Sequence, residues 1–195
     1  MGGKMIRKKI AVLGLGSAGV QSLSHFLFNL DNSWDVYSIH NPDISIVGIG
    51  ESTNPVFVEA ISLGLDFDYG DDLLKLNGTL KFGTRYVGWR DHTFINPLIG
   101  GGISIHLDTY KLKDFALDRL RSLWGTRFKE ITGNVEKITN NQDSVSILIN
   151  NKEHLFDYLI DCTGFPKTYD DYNIIKEMPV NDCLVHNVDT PSENP

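Results

Sequence analysis

The chain has 195 residues, 41% of them apolar and 22% charged, which is the composition of one soluble globular domain with a real core and excludes a disordered or fibrous protein. Its formal net charge of -7, with no basic stripe to offset it, argues against an electrostatic grip on nucleic acid or anionic lipid and favours a small-molecule partner. No stretch approaches the roughly 20 apolar residues that span a bilayer, and Cys162 and Cys183 are too few for a disulfide framework and not spaced for zinc, so a reducing, cytoplasmic setting and no metal site are expected.

Lys4, Arg7, Lys8 and Lys9 precede an apolar run that is broken by glycine and lacks a cleavage-site pattern, so they read as a strand lead-in and not as a targeting signal. Lys9 to Leu13 is a β-type run. Glycines follow, and then Val20, Leu23, Leu27 and Leu30 recur at helical spacing. After the turn-like Asp31-Asn32-Ser33, Asp35 to Ile39 reads as a second strand and Ile44 to Ile49 as a further extended segment, so a βαβ unit opens the protein. Pro55 to Leu63 has a helix start signal, with Thr53 or Asn54 as N-cap and Pro55 in the first turn, and Gly64 is expected to end it.

Lys81 to Trp89 favours an extended conformation, and Gly100-Gly101-Gly102 makes a flexible loop. A long helix should follow, because Leu112, Phe115, Ala116, Leu120 and Leu123 share one face behind the capping residues Asp108 and Thr109. Arg127 to Ile131, Val135 to Thr139, Val145 to Ile149 and His154 to Cys162 are four strand candidates joined by turn signals, read as a β-meander returning to the main sheet. One more strand is expected around Cys183 to Val188.

Gly14-x-Gly16-x-x-Gly19 directly follows a strand and opens a helix, the context that gives this motif meaning. Its glycines let the backbone turn sharply and approach a pyrophosphate, to which the helix N-terminus offers unpaired N–H groups from Ser17 and Ala18. A plain glycine-rich turn in an α/β sheet is the alternative. The ordinary fingerprint then requires an Asp or Glu at the end of the second strand to hold the ribose hydroxyls. His40 occupies that place; it is either a ribose contact, with Asp43 near enough to substitute, or a turn histidine exposed to water. FAD is favoured over NAD by the order of elements: after the first βαβ unit the chain goes to a meander and then to a strand ending Asp161-Cys162-Thr163-Gly164, whose small residues admit a cofactor.

Three further segments resemble the flavin-dependent tryptophan halogenase family. Gly48-Ile49-Gly50-Glu51-Ser52-Thr53-Asn54-Pro55 is similar to the family's Val-Gly-Glu-Ala/Ser-Thr-Ile-Pro segment, which lies along the flavin. Asn77 to Trp89 is similar to the segment in which a lysine is followed eight residues on by tryptophan, here Lys81 and Trp89. Ile105-His106-Leu107-Asp108, the helix with Phe115 and Leu120, Val135, and Asp161-Cys162-Thr163-Gly164-Phe165 follow the family's order of His-Phe-Asp, helix, Asp-x-Val and Asp-Cys-Ser-Gly-Phe.

The resemblance implies an α/β fold with a Rossmann-like, glutathione-reductase-type FAD-binding domain carrying an inserted β-meander. It implies Lys81 as the catalytic lysine, Glu51, Ser52 and Thr53 as cofactor contacts, Val135 pairing its backbone with the adenine, and Thr163 and Gly164 facing the cofactor. His106 is either part of the family's His-Phe-Asp pattern or only a core or turn residue. Reduced FAD from a separate reductase would react with O2 and halide to give an oxidant that Lys81 orients or captures for delivery to an electron-rich, indole-like aromatic substrate.

Trp34, Trp89 and Trp124 do not form the family's Trp-x-Trp-x-Ile-Pro signature, and the family's late glutamate and Ser-Thr-Gly segment have no counterpart in this sequence. The chain is therefore expected to be an FAD-binding domain over residues 1–178, followed by the start of an incomplete substrate-side region over 179–195, truncated before the substrate domain is complete and poorly active or inactive alone; a natural short protein that keeps only the FAD-binding layers is the alternative. The competing readings are an FAD monooxygenase or other oxidoreductase of the same fold, which would not need Lys81, and a non-catalytic nucleotide-binding module.

Overall fold

The computed structural model describes residues 7–48, 51–88, 91–98 and 103–164. The Gly100–Gly102 loop, Trp89, the strand around Cys183 and the division at residue 178 lie outside these. The chain runs through β1 (Lys8–Leu13), α1 (Ser17–Asn29), β2 (Trp34–His40), β3 (Glu51–Ser52), α2 (Pro55–Leu65) and the single turn α3 (Asp72–Lys75). It continues through β4 (Thr79–Lys81), β5 (Gly83–Tyr86), β6 (Phe94–Pro97), β7 (Ser104–Leu107) and α4 (Thr109–Trp124), then β8 (Phe128–Thr132), β9 (Val135–Asn140), β10 (Val145–Ile149), β11 (Lys152–Phe156) and β12 (Tyr158–Asp161).

The centre is a parallel sheet in the order β12-β1-β2-β8, flanked by an antiparallel β11-β10-β9 meander. Strand β1 is apolar throughout its inner half because it is buried on both faces. Ile10 and Val12 join the core formed with Leu23 and Leu27 of α1, Ile61 of α2 and Leu112 and Leu120 of α4. Ala11 and Leu13, pointing the other way by the strand's two-residue period, join Ile39 and the meander residues Ile147, Ile149 and Phe156. The result is three layers, helices, parallel sheet and meander, an α/β Rossmann-like architecture. Among the described residues no helix is long and apolar enough to cross a membrane.

Several expected elements differ, each for a visible reason. Among the described residues only three strands form the meander. Strand β8 pairs in parallel with β2, Val36 opposite Phe128, and the run from His154 to Cys162 divides at Asp157. There the Lys9 N–H donates to the Asp157 carboxylate at 2.6 Å and the Asp157 N–H donates to the Lys9 carbonyl at 2.9 Å, a clamp that turns the chain out of the meander into the parallel sheet beside β1.

Ile44 to Gly48 forms no strand, since β2 already has β1 and β8 on its two sides, and Ile44 and Val47 are exposed. Gly64 does not end α2. It is buried inside the helix, where a Cβ would lie 2.5 Å from the Ser24 carbonyl oxygen of α1, so its role is to let two helices touch. The helix ends instead at Asp66, which takes the left-handed conformation at φ 52°. Asn54 is the N-cap, accepting from the Phe57 N–H at 2.9 Å. On α4, Leu117 joins the buried stripe while Leu123 is 45% exposed.

Asp72 anchors the turn between α2 and β4. Its carboxylate is fully buried and accepts from Lys75 Nζ at 2.7 Å, from Arg119 Nη2 at 3.0 Å to each oxygen, and from the Asp68 N–H at 3.0 Å. Burial alone would raise its pKa, but these donors together hold it below the ordinary aspartate value. Removing the carboxylate leaves a part-buried guanidinium unpaired, so Asp72→Ala is expected to cost about 3 kcal/mol in denaturant unfolding. Because the folded pKa is depressed, the stabilisation is present above the unfolded value near 3.9 and is lost as pH falls through the folded value. The variant should therefore show a shallower acid-induced loss of stability than the parent, and an equally steep one would refute this role.

Candidate functional site

Where β1 gives way to α1, Gly14 takes φ +97° and a Cβ there would sit 2.6 Å from the Cys162 carbonyl oxygen. The turn thus lies directly against the end of β12. A Cβ on Gly19 would lie 2.1 Å from the Gly14 carbonyl oxygen, so the first turn of α1 packs on the glycine turn as closely as backbone allows. Gly16 is different: no atom lies within 4 Å of where its Cβ would be. It is also the N-cap of α1 and makes no side-chain cap bond. The first intrahelical bond is the Val20 N–H to the Gly16 carbonyl, which leaves the N–H groups of Ser17, Ala18 and Gly19 without a helical acceptor. One tight turn, one open approach and one close packing contact are the three roles these glycines have in a dinucleotide fold.

The open side of Gly16 faces a cleft of about 1110 Å³ at the carboxyl ends of β1, β2 and β12, the topological position at which open α/β sheets bind ligands. That volume lies just above the roughly 300–1,000 Å³ usual for ligand pockets and suits a dinucleotide. Of the residues singled out by sequence, Gly14, Gly16, Ser17, Ala18, His40, Glu51, Val135, Thr163 and Gly164 line it. Gly19, Ser52, Thr53 and Lys81 do not. Asp43 also stays outside, exposed in an Asx turn in which its N–H donates to Asn41 Oδ1 at 2.9 Å.

Glu51 reaches the start of α1, where Ser17 Oγ donates to Glu51 Oε1 at 2.7 Å. His40 is buried at the end of β2, not an exposed turn residue, and its Nδ1 is 3.2 Å from Ser38 Oγ. Burial pushes its imidazole below the ordinary pKa; the Glu130 charge opposes this, and those of Lys113 and Arg121 add to it. At the end of β12, Asp161 Oδ1 accepts from the Thr163 N–H at 3.0 Å and the Thr163 hydroxyl at 2.6 Å, and Gly164 follows at φ +87°. The Cys162 thiol behind this turn is pushed up in pKa chiefly by burial.

Behind Glu51 stands a small antiparallel sheet in the order β3-β7-β4. Thr53 just beyond β3 spends its hydroxyl on β7, donating to the Ile105 carbonyl at 2.8 Å and accepting from its N–H at 3.0 Å. Lys81 closes the group: its Nζ donates to the Thr53 carbonyl at 3.0 Å, and its residue pairs with Ser104 across β4 and β7. The buried Ser104 Oγ has no partner among the described residues. His106 is neither core nor turn. It is a largely exposed strand residue opposite Thr79 and Ser52, and its pKa is lowered first by partial desolvation of the ring and then by the charge of Lys81.

Asn41, Asn134, Lys137 and the 44–47 segment also line the cleft, and no pattern in the sequence marks them. Thr109 and Lys113 also line it; their four-residue spacing on α4 was the available clue, since it puts both on one helix face.

A family model described as tryptophan halogenase matches residues 9–120. Tryptophan 7-halogenase RebH of Lentzea aerocolonigenes is 29% identical over 90 residues, covering 46% of this chain and 17% of that protein. Among solved structures, a tryptophan halogenase from Shewanella frigidimarina superposes with a TM-score of 0.66 at 17% identity, over 83% of this chain and 44% of that one. A tryptophan 6-halogenase from Streptomyces toxytricini gives 0.68 at 16% identity, over 80% and 42%. At these identities the likeness to solved structures is one of fold, and the chain spans less than half the length of either solved relative.

Proposed function

The chain belongs to the tryptophan halogenase family, and from that premise we propose that it is the FAD-binding part of a flavin-dependent halogenase, with a domain of the glutathione-reductase type. The observation that carries this reading is the cleft itself. An open Gly16 beside three N–H groups without helical acceptors is a cradle for a pyrophosphate, and the volume beyond it has room for the nucleoside and the ring system on either side. Ser17 and Ala18 would hold the diphosphate, His40 the adenosine ribose, the Val135 backbone the adenine, and Glu51, Thr163 and Gly164 the flavin side. Ser52 and Thr53 would support Glu51 from behind.

Bound in reduced form from a separate reductase, FAD would supply the chemistry by which O2 and halide become a halogenating agent for an electron-rich, indole-like aromatic ring. The residues of this chain bind and orient the cofactor and exclude water, and Lys81 presents one cationic donor to the oxidant. A cytoplasmic protein with no nucleic-acid or membrane partner fits the acidic composition.

Titration of the purified chain with FAD, followed by flavin fluorescence, tests the proposal. Saturable quenching at about micromolar FAD supports it, an affinity of roughly 8 kcal/mol. No quenching, with binding of another adenine nucleotide instead, would replace it by the non-catalytic nucleotide module.

A further inference from the structure

The ribose end of the cleft has an unusual charge arrangement. In dinucleotide folds a carboxylate at the end of the second strand takes the ribose hydroxyls, and a nearby guanidinium serves when the ribose carries a phosphate. Here the strand ends in His40, held largely neutral at pH 7 by its burial, and the cation is Lys113. That lysine is half-buried, lines the cleft and has no hydrogen-bond or ion-pair partner among the described residues.

One helical turn before it on the same face is Thr109, 3% exposed, whose Oγ1 also has no partner. The three carboxylates that line the cleft are each engaged: Glu51 by Ser17, Glu136 by the Asn151 N–H at 2.8 Å, and Asp161 by Thr163. Glu130, the acid whose charge reaches His40, is held by Arg121 through Nε at 2.7 Å and Nη2 at 2.9 Å. A free half-buried ammonium therefore lines the cleft one helical turn from a hydroxyl that is sealed from solvent, and the three cleft carboxylates, bonded by neutral donors, keep their charge away from Lys113, with which none of them pairs.

We propose that Lys113 forms an anion subsite for a phosphate monoester on the ribose of an adenosine nucleotide, so that the cleft binds ribose-phosphorylated adenosine more tightly than the unphosphorylated nucleotide. The proposal rests on the reading that the adenosine lies toward β2. It goes beyond FAD, which lacks that phosphate, and makes ribose-phosphorylated dinucleotides competitors for the same cleft.

Calorimetric titration of the full chain at low salt with adenosine 5′-monophosphate, adenosine 2′,5′-bisphosphate and adenosine 3′,5′-bisphosphate tests it. At least one bisphosphate should bind about ten-fold tighter than the monophosphate, the effect of one charge-assisted hydrogen bond; which one does so tells a 2′-phosphate from a 3′-phosphate ligand. Lys113→Met should abolish the ratio and leave monophosphate affinity within about two-fold, whereas Lys137→Met, which removes an exposed cation from the cleft rim, should keep it. Equal binding of all three nucleotides, or equal loss in the two lysine variants, would overturn the subsite. FAD titrated in parallel separates the two proposals. Binding of FAD without a bisphosphate advantage sinks the subsite alone, and a bisphosphate advantage without FAD binding sinks the flavin reading alone. Binding of no nucleotide sinks both.

Discussion

Gly19→Val should lose both the fold's stability and its cofactor, while Gly16→Val, three residues away, should lose only the cofactor. At position 19 the new side chain would begin 2.1 Å from the Gly14 carbonyl oxygen and 2.9 Å from its carbon. Both are backbone atoms of a turn already fixed against Cys162, so neither yields. Helix α1 must then move off the turn, and with it Val20, Leu23 and Leu27, which are fully buried. Overpacking at such a point costs about 3 kcal/mol or more.

At position 16 the backbone is extended, with φ -81° and ψ -171°, and open space receives the side chain. The fold should lose no more than about 1 kcal/mol, the penalty of a poorer N-cap. The isopropyl group would stand where a pyrophosphate must approach, and FAD affinity should fall by about two orders of magnitude, or roughly 3 kcal/mol. Denaturant unfolding and flavin fluorescence on both variants check this. Equal stability losses at the two positions would show that Gly16 is part of the packing and not of the cradle.

The difference between these two glycines also marks what could be read from the sequence. Local features were legible: the strand before Gly14, the helix after it, the Asn54 cap and the Asp108 helix start all follow from nearest neighbours in the chain. Long-range partnership was not. Nothing in Phe128 to Thr132 says that it pairs in parallel with β2 and does not join the meander, because turn signals before and after a strand do not name the sheet it enters. Gly64 carried an ambiguous signal, since the same residue serves a helix end and a close helix contact, and only the presence of Ser24 beneath it decides.

The cleft divides in the same way. The motif glycines and the Asp161 to Gly164 turn announce one wall through their own backbone needs. Thr109 and Lys113 belong to a helix whose face toward the cleft is set by how Leu112, Ala116 and Leu120 seat in the core, so their place there is a consequence of tertiary packing.

Lys81→Met should abolish halogenation while leaving FAD bound. The substitution keeps the side chain's length and apolar stem and removes its charge. Lys81 lies outside the cleft lining and reaches the Thr53 carbonyl at 3.0 Å, on the small sheet that also carries Glu51, so FAD affinity should change by less than about two-fold, within 0.5 kcal/mol. If its ammonium is the donor presented to the oxidant, turnover should fall by about 10²–10³-fold, the cost of removing one preorganised donor, in the shortest form of the protein that turns over. Oxygen consumption by the reduced flavin should continue, which separates a halogenase from a monooxygenase that has no use for this lysine.

His106 supplies a readout independent of turnover. The charge of Lys81 contributes to its lowered pKa, after burial. Removing that charge should move the imidazole's titration upward in an NMR pH series, confirming that the variant is folded and the ammonium gone. A variant with the His106 shift and undiminished halogenation would make Lys81 a structural tie to the Thr53 carbonyl. Loss of halogenation together with loss of FAD would make it part of the scaffold that holds Glu51. Only the shift, retained FAD and lost product together assign it to the chemistry.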